Sequence, residues 1–296
     1  MVTILTILGA LGIFLYGMKV MSEGIQKVAG NGMRAALATM TKNRFSAALT
    51  GLLITGLVQS SSATTVLVVS FVNAGLLTLV ESIGVVMGAN LGTTVTAWIV
   101  AVIGKFSVSK IALPIIGAGL PLFFAGKGKY KYVGEVLIGF GLLFFGLGEL
   151  KHAVPDLKAA AAAGDTETLA MFQNVIHWIQ DTGFMSVVLF MFAGVILTLI
   201  VQSSSAAMAI TIVCALNGLL GDNSFDVFKH SAAIVLGENI GTTVTAWLAS
   251  IGATTSAKRA ARAHFLFNVI GVIWMLVLFN PFTAGVWNLT DKLPSS

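Results

Sequence analysis

Hydrophobic residues run through this chain in blocks too long for the core of a soluble domain. Nearly unbroken apolar stretches fall at 3–21, 83–104, 111–126, 132–150, 229–252 and 264–282, each close to the ~20 residues an α-helix needs to cross a bilayer. Two further blocks, 45–80 and 184–220, are too long for one crossing. Each is broken near its middle by the tetrapeptide QSSS, at 59–62 and again at 202–205. The halves of these blocks are short for a full span, so each block is read as a re-entrant helical hairpin whose tip stops near mid-membrane.

Composition agrees with this pattern. Of 296 residues, 56% are hydrophobic and 10% charged, and the mean hydropathy is +0.94, outside the range of a soluble globular domain. The first apolar stretch has no basic region before it and no small-residue cleavage site, so it reads as a retained helix. The one cysteine, Cys214, excludes an internal disulfide. No metal-ligand cluster, glycine-rich nucleotide loop or catalytic triad stands out, and three adjacent serines without a positioned base do not make an enzyme. No cofactor is expected.

The net charge of +5 comes from 17 Lys and Arg against 12 Asp and Glu. The basic residues cluster between apolar runs, a pattern that orients a protein in a membrane and is poor evidence for nucleic-acid binding. If both hairpins return to their starting side and the N-terminus lies outside, Lys19, Lys27, Arg34, Lys42 and Arg44, then Lys127, Lys129 and Lys131, then Lys258, Arg259 and Arg262 all face the cytoplasm. Arms that crossed fully would keep the same parity. Arm length and the polar tips therefore carry the re-entrant reading.

The chain repeats itself. VQSSSA recurs 143 residues on, and GANLGTTVTAW at 88–98 returns as GENIGTTVTAW at 237–247, an offset of 149. Each half reads as helix, hairpin, interrupted helix, helix. The expected fold is an all-α integral membrane protein of two inverted repeats, residues 1–126 and 127–296. Inverted repeats with broken helices around a midplane site are a common plan of secondary transporters.

Polar backbone at membrane depth survives only where protein or a water-filled cavity surrounds it, so both QSSS tips should line a cavity. Each serine run leads into the second arm, where a hydroxyl can cap the helix and open N–H groups point at the tip. A helix N-terminus favours an anion. Ser60, Ser61, Ser62, Ser203, Ser204 and Ser205 can donate to oxyanion oxygens, while Gln59 and Gln202 add amide donors and acceptors. Serines in membrane helices also bond back to the preceding turn or glue helices together; two identical runs at matched places favour a clasp around one tetrahedral anion.

In the second motif, Gly92 and Gly241 would let the backbone leave helical geometry. Asn90, Thr93 and Thr94, with Asn239, Thr242 and Thr243, supply oxygens suited to Na+. The competing account is a glycine kink with packed threonines. Neither tip contains Arg or Lys, so co-bound cations would help neutralise an anion, which is a physical basis for coupling. Glu238 stands where the first repeat has Ala89, and is a candidate proton or cation site or a residue at a wet helix end. Glu81 and Asp226 read as boundary residues. His264 and Asn268 read as a packing pair or as cavity-entrance residues. His177 and Trp178 suggest an interfacial helix, and the glycines of 139–148 close helix contact.

Paired QSSS motifs, each followed by G-x-N-x-G-T-T, resemble the type II sodium/phosphate cotransporter family, specifically its compact bacterial members, over about 5–282. The resemblance implies Na+-coupled movement of inorganic phosphate across a bacterial cytoplasmic membrane. By position it assigns phosphate and ion contacts to Gln59–Ser62 and Gln202–Ser205, with Asn90, Thr93, Thr94, Asn239, Thr242 and Thr243 in support. The HFLFN element at 264–268 also resembles the family pattern, although the first repeat has KIALPIIGAG in the corresponding place. Many bacterial relatives carry a C-terminal soluble helical domain, so regulation here is expected to come from elsewhere or be absent.

The expected partners are phosphate, Na+ and membrane lipid, with oligomeric state not readable. Rival readings are a Na+- or H+-coupled carrier of another small anion, such as a dicarboxylate or amino acid, and a non-transporting membrane scaffold or sensor. A fixed Arg near a tip would favour a carboxylate carrier, and none is present there.

Overall fold

The structure is a computed structural model that describes residues 2–29, 43–104, 109–165, 174, 176, 178, 179 and 182–290. The elements in the described residues are helices: α1 (Val2–Ala29), α2 (Arg44–Val58), α3 (Ser61–Asn73), α4 (Leu79–Gly104), α5 (Ser109–Ala125), α6 (Lys129–Ala153), α7 (Leu157–Ala163), α8 (Phe184–Val201), α9 (Ser204–Leu216), α10 (Ser224–Ala249), α11 (Thr255–Val277) and α12 (Phe279–Thr290). The protein is an integral membrane protein: among the described residues, five helices are long and apolar enough to cross a bilayer.

Each QSSS separates two helices. The arms α2 and α3 have 15 and 13 residues, or about 22 and 20 Å at 1.5 Å per residue, well short of a hydrocarbon core of about 30 Å. In the second pair α9 also has 13 residues, whereas α8, with 18, reaches about 27 Å and is apolar enough to count among the five spans.

The helices equivalent between halves, α1 and α6, pack antiparallel along their length. Glycines set their separation. A Cβ on Gly17 would stand 2.3 Å from the Leu143 nitrogen, one on Gly139 2.3 Å from the Met21 nitrogen, and one on Gly146 2.4 Å from the Phe14 nitrogen, so only glycine permits this approach. Gly139, Gly141 and Gly146 of the 139–148 run thus give the close helix contact their sequence suggested. At the polar end, Lys27 Nζ meets Glu135 Oε2 at 2.7 Å.

The expected interruption of the motif helices is not observed. Both α4 and α10 continue through GxNxGTT as helices of 26 residues. The reason is packing: a Cβ at Gly88 would lie 1.8 Å from the Ala48 carbonyl oxygen and one at Gly237 1.8 Å from that of Met191. Gly92 and Gly241 seat the Cβ atoms of Thr55 and Thr198 in the same way. These glycines let α4 lie against α2, and α10 against α8, and the helical backbone is kept. The span expected at 264–282 is likewise corrected: α11 ends at Val277 and α12 begins at Phe279, because Pro281 has no N–H to offer the Val277 carbonyl.

The two halves differ in their last helices. α11 packs on α3, α4 and α10, while its sequence equivalent α5 packs on α6. One core cluster therefore joins Val68, Val69, Val72 and Val86 to Ala257, Ala260 and Ala261. Another joins Phe14, Met18 and Phe144 to Ala112 and to Ala206 of the second hairpin. α3 also packs against α10, and α9 against α4, so each second arm is backed by the motif helix of the other half.

Candidate functional site

Gln59 and Gln202 end α2 and α8 in the left-handed region, with φ of 57° and 54°, a conformation that costs about 1–2 kcal/mol for a side-chain-bearing residue. Their N–H groups close the preceding helices by donating to the carbonyls of Thr55 and Thr198, both at 2.7 Å. The turn then passes at once to an N-cap. The Ala63 N–H donates to Ser60 Oγ at 3.1 Å and the Ala206 N–H to Ser203 Oγ at 3.3 Å. Thr64 and Ala207 N–H groups reach the Ser60 and Ser203 carbonyls. The N–H groups of Ser61 and Ser62, and of Ser204 and Ser205, are then the open donors of each first turn, and the capping hydroxyls keep their protons for another acceptor.

These two tips meet. Ser61 Oγ lies 3.5 Å from Ser204 Oγ, and a cavity of about 240 Å³ is lined by both QSSS runs together with Leu15, Met18, Lys19, Ser22 and Glu23 of α1. All eight QSSS residues expected at the site are brought together. The tips are not identical in detail. Gln59 is buried and its amide donates to the Gly56 carbonyl, while Gln202 is exposed to the cavity.

The α1 contribution was not legible as part of the site. Ser22 Oγ donates to the Val58 carbonyl at 2.7 Å, and Gln26 Nε2 donates to Ser22 Oγ at 3.1 Å, which pins the first tip to α1. Lys19 and Glu23, 3.9 Å apart and largely exposed, put one cation and one anion at the cavity rim. The only signal was a run of polar residues at the end of an apolar helix, which also fits a membrane boundary.

The GxNxGTT residues do not line this cavity. Asn90 Nδ2 donates to Asn268 Oδ1 at 2.8 Å, His264 Nε2 lies 3.3 Å from Asn90 Oδ1, and Asn268 Nδ2 donates to the His264 carbonyl at 2.9 Å. The amide orientation makes His264 the Nε2–H tautomer, so its buried Nδ1 lone pair has no partner among the described residues. His264 and Asn268 are thus part of a buried network joining α11 to α4. Thr93, Thr94, Thr242 and Thr243 donate to carbonyls of their own helices, at 3.2, 2.7, 2.8 and 2.7 Å, which leaves their lone pairs as the free function. Asn239 is half-buried.

Glu238 is 2% exposed. Its Oε1 accepts from Thr211 Oγ1 at 2.8 Å, and its Oε2 has no partner among the described residues. The wet-helix-end alternative is therefore not what is seen. Thr55 Oγ1 donates to Thr64 Oγ1 across the first hairpin at 3.0 Å; in the second, Ala207 replaces Thr64 and the buried Thr198 hydroxyl is left without a partner. Glu81 accepts from the Thr78 N–H and hydroxyl at 2.8 and 2.7 Å, and Asp226 from Asn223 at 2.6 Å, so both hold helix starts as expected. Trp178 is 67% exposed, while His177 lies outside the described residues.

A profile of the Na+/Pi-cotransporter family matches residues 13–152 and 166–286. The chain is 30% identical over 280 residues to "Uncharacterized protein YqeW" of Bacillus subtilis (strain 168), covering 95% of this chain and 82% of that one. It is 30% identical over 295 residues to "Putative inorganic phosphate export protein YjbB" of Salmonella typhimurium (strain LT2), covering 99% of this chain and 49% of the relative. The chain thus spans about half the length of that relative. Human "Sodium-dependent phosphate transport protein 2B" is 35% identical over 123 residues, 41% of this chain and 18% of that protein. No solved structure matches the chain. A profile covering nearly the whole chain, with both QSSS runs inside it, decides the assignment: the chain belongs to the Na+/Pi-cotransporter family.

Proposed function

We propose that this protein is a secondary transporter that couples Na+ to the movement of inorganic phosphate, with the paired QSSS tips as the phosphate site. The observation that carries the reading is the meeting of Ser61 and Ser204 in one cavity. Two helix N-termini with capping hydroxyls aimed at a shared space present N–H and O–H donors from two sides, which suits a tetrahedral oxyanion. Among the described residues no Arg lines the cavity, and Lys19 at the rim is offset by Glu23. A bound anion would lean on dipoles and co-bound cations, and we assign Na+ to the lone pairs of Asn90, Thr93, Thr94, Asn239, Thr242 and Thr243 and a coupling role to Glu238. Relatives named for phosphate export and for sodium-dependent phosphate transport agree on the substrate. Net direction would follow from the gradients.

Two inverted repeats, 1–126 and 127–296, with re-entrant hairpins, fit the antiparallel packing of α1 on α6 and the contact of equivalent serines. A two-fold axis in the membrane plane would pass close to that contact. With the N-terminus outside a bacterial cytoplasmic membrane, the rim at Lys19 and Glu23 faces the cytoplasm, and the conformation is the inward-open state of an alternating-access cycle. The test is labelled phosphate uptake into proteoliposomes under an inward Na+ gradient, against K+ and against a pH gradient alone. Na+-dependent uptake is expected. Uptake driven only by protons would overturn the coupling ion, and transport of a dicarboxylate but not phosphate would overturn the substrate.

A further inference from the structure

A second cavity, of about 440 Å³, runs between α9 and α10 away from the hairpin tips. It opens beside the turn at Gly221–Ser224 and follows Val227, Ser231 and Val235, successive turns of one face of α10. The next residue on that face is Glu238. On the α9 side the cavity reaches Thr211, the residue whose hydroxyl donates to Glu238 Oε1. Glu238 itself does not line the cavity: it lies behind Thr211, buried, with Oε1 bonded to the Thr211 hydroxyl and Oε2 without a partner among the described residues.

Among the described residues, the corresponding positions of the first half are closed. At the offsets of the repeats, Glu238, Val235, Thr211 and Ile212 correspond to Ala89, Val86, Val68 and Val69. Those four are buried, and α11 seals the three valines with Ala257, Ala260 and Ala261. The equivalent cover for the second half would be α5, which packs on α6 instead. An open groove and a carboxylate occur together in one half, and a closed groove and an alanine in the other.

Helices α3, α8 and α9, packed against α10, carry no basic residue, and their one titratable side chain is Cys214. On α10 itself Asp226, Lys229 and His230 precede Glu238 by two turns or more, and His230 is held by the Leu220 carbonyl and Ser186, while Asp222 lines the mouth of the groove. On α11, Lys258, Arg259 and Arg262 lie in its first two turns, and His264 faces Asn90. On α4, Glu81 is bound by Thr78. Among the described residues no ion pair joins Glu238 to a basic side chain, and burial of an unneutralised carboxylate is expensive, which favours a proton or a bound cation as its counter-charge. Thr198 seats its Cβ and methyl carbon against Gly241, one turn beyond Glu238, and its buried hydroxyl has no partner among the described residues.

We propose that the α9–α10 groove is an entry route for a monovalent cation to a site at Glu238 and Thr211, separate from the hairpin tips and present only in the second half. Na+ and H+ are the two sources of that charge and compete for one carboxylate. Its role in coupling rests on the transporter reading; the existence of the site does not.

The experiment uses the full purified chain without phosphate and reads the melting temperature against Na+, with choline as the control, at several pH values. Na+ is expected to stabilise the protein, with more Na+ needed as pH falls. Glu238→Gln should raise the Na+ needed by about tenfold or more, the scale of losing a charged partner, and Thr211→Val should weaken the Na+ response. A pH effect that Glu238→Gln abolishes, with no Na+ effect, assigns the site to H+. In a Cys214→Ala background, Ser231→Cys should react with a charged thiol reagent, and the reaction should abolish the cation response. Glu238→Gln with unchanged Na+ and pH dependence overturns the site, and an unreactive Ser231→Cys, as lipid in the groove would give, overturns the route. Either can happen while Na+-driven phosphate uptake stands. Absence of phosphate transport with the Glu238-dependent cation response intact would instead sink the transporter reading alone.

Discussion

Ser61 and Ser204, 143 positions apart and equivalent in the two repeats, bring their hydroxyl oxygens within 3.5 Å of each other. Were the repeats related by a two-fold axis, as proposed, equivalent residues could touch only near it. Each is the first residue of a helix whose capping serine already accepts a backbone N–H, so the donors around the contact point into the shared cavity rather than back into the chain.

Replacing either serine by alanine is expected to raise the phosphate concentration for half-maximal Na+-driven uptake by about 10- to 100-fold, as for loss of a hydrogen bond to a charged group worth about 1.5–3 kcal/mol. Labelled uptake into proteoliposomes, with gel filtration to show intact protein, checks this. Wild-type kinetics in the Ser61→Ala, Ser204→Ala double variant would remove the tips from the site.

Gln59→Gly and Gln202→Gly separate backbone from amide. Glycine adopts the observed positive φ freely, and relief of about 1–2 kcal/mol is offset in part by the greater freedom of the unfolded chain. Stability should stay within about 1 kcal/mol of wild type while transport falls, more for Gln202, whose side chain is exposed to the cavity. Unimpaired transport in both variants would restrict these residues to ending their helices.

Gly88→Ala and Gly237→Ala test why the motif helices stay continuous. Each added methyl would meet a backbone carbonyl at 1.8 Å, and the forced separation should cost about 1–3 kcal/mol, seen as a lower melting temperature in detergent. Gly271→Ala, with nothing within 4 Å, is the control. Equal melting temperatures for all three would mean that α4 and α10 do not need this close approach.

Orientation is read by single cysteines in a Cys214→Ala background. Gly128→Cys should be labelled by an impermeant reagent only from the cytoplasmic side and Asp165→Cys only from outside. The reverse pattern would invert the protein in the membrane and make the tip cavity outward-facing.

Much of the site could be read without coordinates because its signals are local. A serine directly after a helix end caps the next helix, and the same tetrapeptide twice marks the same turn twice. The glycines of GxNxGTT misled, since a glycine that frees the backbone and a glycine that admits a neighbouring helix look alike along the chain. Only the positions of Ala48 and Met191 distinguish them. Lys19, Glu23 and Ser22 went unassigned because their place beside the tips depends on how α1 packs against the first hairpin.

Hydrophobic blocks, polar tips, caps and the internal repeat were determined by sequence alone, because bilayer thickness and helix-end chemistry act on residues a few positions apart. The pairing of the tips, the Asn90–His264–Asn268 network and the open groove above Glu238 were decided by tertiary structure. Each depends on which helix fills which groove: α11 covers the first repeat, while α5 turns to α6 and leaves the second uncovered. That choice rests on the fit of surfaces far apart in the chain, which a repeated motif does not encode.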